Sequence, residues 1–134
     1  MENLVYALVQ LMHNFGAATV VAVPVLAMFL ASRGTTLAQN GLLLAVLVGW
    51  SVQIASGLGF AATSWHFHGE LPEVESVALW ALLIKITCSV TALLFIAYGW
   101  SRTSSKRNAK PLWTVLLTVA AVALAAAAFL RWYV

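Results

Sequence analysis

Apolar residues run through this chain in four long blocks, each parted from the next by a short polar or charged connection. The blocks extend from about Leu4 to Ala31, Gly41 to Ser64, Val77 to Trp100 and Leu112 to Phe129. The hydrocarbon core of a bilayer is about 30 Å thick, and about 20 apolar helical residues cross it. Each block therefore predicts a membrane-spanning helix. The predicted fold is all-α: one domain over residues 1–134, a four-helix antiparallel bundle integral to the membrane.

Within the blocks, punctuation is sparse. Pro24 lies about two-thirds along the first, where it removes a backbone donor and predicts a kink. The second carries Gly49, Gln53, Ser56, Gly57 and Gly59, and Ala55 with Gly59 forms a small-xxx-small pair that lets a neighbouring backbone approach. Trp65 and Phe67 after the second block, and Tyr98 and Trp100 ending the third, suit the aromatic belts at membrane interfaces. Pro72 opens the third block with Glu73 and Glu75 in its first turn, and Pro111 opens the fourth. The fourth block is rich in alanine and reads as a packing wall.

Composition narrows the possibilities. Of 134 residues, 63% are hydrophobic and 8% charged, against roughly 25% charged in soluble domains. Little is left to build a soluble catalytic domain, so a non-catalytic membrane subunit is expected rather than a stand-alone enzyme. The first block lacks a basic start and is longer than a secretion signal's core of about 7–15 residues, so it is expected to be a retained helix. Cys88 is the only cysteine, which rules out a disulfide within the chain.

The formal charge of +3 matters less than its placement. Arg33 lies between blocks one and two, and Arg102, Lys106, Arg107 and Lys110 lie between three and four, all on one side. Glu2, Glu70, Glu73 and Glu75 fall on the other. The positive-inside rule puts both termini outside. The basic connection is expected to meet anionic lipid headgroups, and it lacks the interleaved aromatics of a nucleic-acid surface.

Candidate chemistry centres on VQLMHNFGAA in the first block. Gln10, His13 and Asn14 stand there at i, i+3 and i+4, on one side of a helix. Polar groups at membrane depth are functional candidates by default. Counting along each helix, His13 lies about nine residues in, Gln53 about eleven and Lys85 about eight, so all three share a depth within a turn or so. A bundle that hides polar groups would bring these faces together. His13 is the best candidate ligand for a metal or haem iron. Lys85 is too deep to snorkel easily and should have a partner, with Ala78, Ala81, Cys88, Ser89 and Ala92 on its face. Structural alternatives remain open: a His13 hydrogen bond to Gln53 or a backbone carbonyl, and a Lys85 ion pair with a neighbouring subunit. His66 and His68 flank Phe67 and, if extended, point the same way, a possible copper or zinc site together with His13, Met12 or Glu70.

His13 followed by Gly16-Ala17, and Leu83-Ile84-Lys85-Ile86 followed by Trp100-Ser101-Arg102, resemble the membrane families that include the copper-resistance CopD proteins and the HemJ-type protoporphyrinogen oxidases. The resemblance spans about Leu11 to Arg102 and implies haem held through His13 and Lys85. Asn14-Phe15 stand where that family has a tryptophan–glycine pattern.

The expectation is a small redox-associated membrane protein that binds b-type haem or a quinone between the first three helices. His13, Lys85, Gln53, Asn14 and Gln10 would serve the cofactor. It would be a subunit of an electron-transfer complex, with membrane or periplasmic redox partners, in a bacterial inner membrane. The alternatives are a copper-binding membrane protein, with His13, His66 and His68 as ligands, and a cofactor-free accessory subunit.

Overall fold

A computed structural model of the chain describes residues 1–32, 39–70, 76–101 and 109–132. The expected turn at Pro72, Glu73 and Glu75, and the basic residues Arg33, Arg102, Lys106 and Arg107, lie outside the described residues. The described chain is helical: α1 (Glu2–Ser32), α2 (Gln39–His68), α3 (Ser76–Ser101) and α4 (Lys110–Trp132). All four helices are long and apolar enough to cross a membrane.

The ends are set by local chemistry. At the start of α1, the Met1 carbonyl accepts from the Leu4 and Val5 amides at 3.1 and 3.3 Å. The second helix runs four residues past Ser64 and stops at Gly69, whose φ of +73° is left-handed. Only glycine enters that region without steric cost. The Gly69 amide donates to the Trp65 carbonyl at 3.0 Å, and the Ser64 hydroxyl donates to the Glu70 carbonyl at 3.1 Å. Trp65, His66 and Phe67 are therefore helical. In α4 the first bond runs from the Trp113 amide to the Ala109 carbonyl at 3.2 Å, so Pro111 sits in the first turn, where its missing donor is not needed. Through Pro24, α1 continues as one helix, with the proline ring buried.

The helices pack in a ring, α1 on α2, α2 on α3, α3 on α4 and α4 on α1. Across the diagonals, the described residues show no comparable backbone approach. Residue pairs on α1 and α2 run in opposite order: Glu2 meets His68, Tyr6 meets Phe60, His13 meets Ser56, and Gly16 meets Gly49. The two backbones come close at Gly16, where an added Cβ would lie 3.1 Å from the Gly49 carbonyl oxygen. An added Cβ at Gly49 would press on the Thr19 and Val20 side chains at 3.0–3.1 Å, so a side chain at either glycine would push its neighbours aside. Gly59 of the Ala55/Gly59 pair faces only Val9, and Ala55 is exposed.

Inward positions recur at alternating spacings of three and four: Val9, His13, Gly16 and Val20 on α1, and Trp113, Leu116, Ala120 and Ala123 on α4. This is the seam of closely aligned helices. Packing is uneven along its length. The largest fully buried side chains are Trp50, Trp113, Leu43, Ile96, Leu116, Val46 and Pro24. All belong to the half of the bundle where Leu43, Gly99 and Leu112 meet. In the other half, the described buried residues are small or polar: Ser56, Thr63, Ala78, Ala81, Ala123 and Ala126. Along α1, Tyr6, Val9 and His13 stay only partly covered there. That half carries the polar groups. Large apolar side chains such as Phe15, Leu58, Trp80, Leu94 and Phe129 point outward, consistent with a lipid surrounding.

Candidate functional site

The polar centre lies between α1, α2 and α3. Lys85 reaches across the diagonal of the ring, and its Nζ stands 3.0 Å from His13 Nε2. The two backbones do not approach each other; the four-carbon stem of the lysine spans the gap. The other ring nitrogen, His13 Nδ1, lies 2.7 Å from Ser56 Oγ. Ser56 Oγ is in turn 2.6 Å from the Val52 carbonyl oxygen and 3.2 Å from that of Gln53.

These contacts fix the direction of the hydrogen bonds. Ser56 has one hydroxyl hydrogen, and the helix carbonyl at 2.6 Å takes it. The Ser56 oxygen then accepts from His13 Nδ1–H, which leaves Nε2 with a lone pair. That lone pair accepts from Lys85 Nζ–H. Every group in the chain Lys85, His13, Ser56, Val52 then has its complement. A lysine amino group has up to three hydrogens, and only one is used here.

Two further contacts hold the histidine. Gln53 donates its side-chain amide to the His13 backbone carbonyl. Gln53 is 7% exposed and Ser56 is 4% exposed, so the α2 side of the site is well covered, while His13 and Lys85 are partly open. The Phe60 ring lies 5.8 Å from the imidazole, edge-on at 70°, and Tyr6 stacks on Phe60 at 6.4 Å. On α3, the Ser89 hydroxyl donates to the Lys85 carbonyl at 2.9 Å. Cys88 is buried beside Ser89 in the stripe below Lys85.

Of the residues singled out from the sequence, His13, Lys85 and Gln53 come together. Gln10 and Asn14 do not join them. Both are exposed, and Gln10 Nε2 donates to Asn14 Oδ1 at 2.8 Å on the outside of α1. A helix turns about 100° per residue, so Asn14 stands a quarter-turn round from His13. The three therefore share a side of α1 but not a pocket: a shared side is wider than a shared pocket. Ser56, Phe60 and Tyr6 were not identified as site residues. The signal for two of them was spacing, since Gln53, Ser56 and Phe60 follow one another at three and four residues.

His66 and His68 also differ from expectation. Because α2 continues through them, they project about 200° apart rather than the same way. His66 packs edge-on against Phe67 at 5.0 Å, and His68 Nε2 lies 3.1 Å from a Glu2 carboxylate oxygen. Met12 is exposed on α1. Among the described residues no three of His, Cys, Asp and Glu converge as a metal site would require. The chain matches no protein-family model, and no curated protein or solved structure is significantly similar to it.

Proposed function

We propose that this chain is an integral membrane subunit whose Lys85–His13–Ser56 centre binds the head of a quinone and hands it protons in an electron-transfer complex. The bundle is taken as antiparallel with both termini outside, supported by the opposite order of contacts along α1 and α2 and by the sequence position of the basic residues. One observation carries the reading: a lysine amino group at membrane depth, 3.0 Å from a histidine, with hydrogens left to donate.

The residues fit a quinone better than haem. A quinone carbonyl needs a donor, and Lys85 offers one without disturbing its bond to His13. Haem ligation by His13 would take Nε2, which Lys85 occupies, while Nδ1 is engaged by Ser56. Haem would thus require Lys85 to withdraw. Among the described residues, those buried in the half of the bundle around the site are small or polar. A bound quinone supplies two-electron, two-proton chemistry, with electrons from another redox subunit. Lys85 holds a proton against the carbonyl oxygen, His13 fixes the position of Lys85, and Ser56 and Gln53 fix His13. Tyr6 and Phe60 provide an aromatic wall beside it.

The test is quinone content. Protein purified into lipid nanodiscs is loaded with a short-tailed quinone, washed and extracted, and the quinone is quantified by its ultraviolet absorbance. Wild type should retain quinone in proportion to protein, and Lys85→Gln or His13→Ala should lose most of it. Equal retention by wild type and both variants refutes the reading. A Soret band in the natively isolated protein, lost in His13→Ala, would replace it with haem.

A further inference from the structure

The Gln10–Asn14 pair on the outside of α1 is unused by the proposed centre, and its position is unusual. The pair lies about 12–18 Å along the axis from the start of α1, at a depth where no water satisfies an amide if the helices cross a bilayer, as proposed above. The internal bond from Gln10 Nε2 to Asn14 Oδ1 uses one donor group and one acceptor. Left over are the Gln10 carbonyl oxygen and the Asn14 amino group, for which the described residues provide no partner.

That remainder is its own complement. A second copy of α1 related by a two-fold axis along the membrane normal presents the same leftover acceptor and donor. Asn14 of each copy then donates to Gln10 of the other, and four amides close into a ring of four hydrogen bonds, two within chains and two between them. Self-complementarity of this kind is what a two-fold interface demands. Asn14 is followed one turn on by Ala18 and preceded two turns back by Ala7, both exposed, so the two backbones can come close on either side of the amides. We propose that this face of α1 is the interface between two copies of the chain.

The experiment uses the full chain in lipid bilayers. In a Cys88→Ser background, a single cysteine at Ala18→Cys is compared with one at Val122→Cys, which is exposed on α4. Oxidation should give a dimer through position 18 and little through 122. Fluorescence energy transfer between labelled copies should report a dimerisation constant that falls about tenfold when both amides are removed in Gln10→Leu/Asn14→Leu, the loss of two interhelical hydrogen bonds. Leucine suits a lipid-facing helix, and circular dichroism checks that the variant stays helical. A monomeric wild type, equal cross-linking at both positions, or a dimer indifferent to the double substitution overturns the proposal. A cross-link from position 18 to a different protein in native membranes, in place of the dimer, also overturns it. These variants leave His13, Ser56 and Lys85 intact, so quinone content measured on the same samples separates failure of this interface from failure of the proposed function.

Discussion

Removing His13 strands Lys85, whereas removing Lys85 strands very little. His13→Leu deletes the acceptor 3.0 Å from Nζ and leaves an amino group at membrane depth with nothing to donate to. Hydrogen bonds to charged groups are worth about 1.5–3 kcal/mol in water-soluble proteins, and interhelical ones in membranes average about 0.6 and reach about 1.7 kcal/mol. Lys85 is partly exposed, which places the expected loss at about 1–2 kcal/mol. Lys85→Met removes the amine together with its desolvation burden and leaves a partly covered imidazole lone pair, for a change within about 0.5 kcal/mol. In the double variant His13→Leu/Lys85→Met no amine is stranded, so the cost of His13→Leu falls by about 1 kcal/mol or more. The lost contacts to Ser56 and Phe60 are common to both backgrounds and cancel. The assay is reversible unfolding in mixed micelles by added sodium dodecyl sulfate, followed by far-ultraviolet circular dichroism. Equal destabilisation by Lys85→Met and His13→Leu, or single effects that add in the double variant, would mean that Lys85 is not stranded by the loss of His13.

The other expectations concern the frame that holds the site. Gly16→Val forces a branched side chain against the Gly49 carbonyl and the Gln53 amide and should destabilise by about 1–3 kcal/mol in the same unfolding assay. Gly57→Ala meets nothing within 4 Å and should be neutral or stabilising by up to about 1 kcal/mol. Gly69→Ala, at a φ of +73°, should destabilise by about 1 kcal/mol and lower amide-exchange protection over the last turn of α2, which hydrogen-exchange mass spectrometry would detect.

Four helices were legible because length and apolarity alone decide whether a segment can cross a bilayer. Their ends were less so. Ending α2 at Ser64 followed the polar character of Ser64, His66 and His68, but backbone geometry obeys Gly69, the one residue nearby suited to a left-handed stop. The extended reading of His66 and His68 failed with it. The alanine-rich fourth block does form a packed face, through Ala120, Ala123 and Ala126. Rotation about each helix was the hardest quantity to read. In a soluble protein, apolar residues mark the inside; where both the interior and the surroundings are apolar, that contrast vanishes. His13, Gln53 and Lys85 were grouped by depth, which survives any rotation. Gln10 and Asn14 were grouped by side, which does not. Lys85 also reaches a helix its own backbone does not approach, a contact made possible by side-chain length rather than by any pattern in the sequence.

The most direct test is the protonation pattern of one imidazole. Nitrogen-15 spectra of the protein in bilayers, with His66→Gln and His68→Gln leaving His13 as the sole histidine, distinguish a ring nitrogen that carries hydrogen from one that does not. Hydrogen on Nδ1 and a lone pair on Nε2 are expected, with the Nε2 resonance moving in Lys85→Met and the Nδ1 resonance moving in Ser56→Ala. Hydrogen on Nε2, with neither resonance responding to either substitution, would mean that the three side chains do not form one centre.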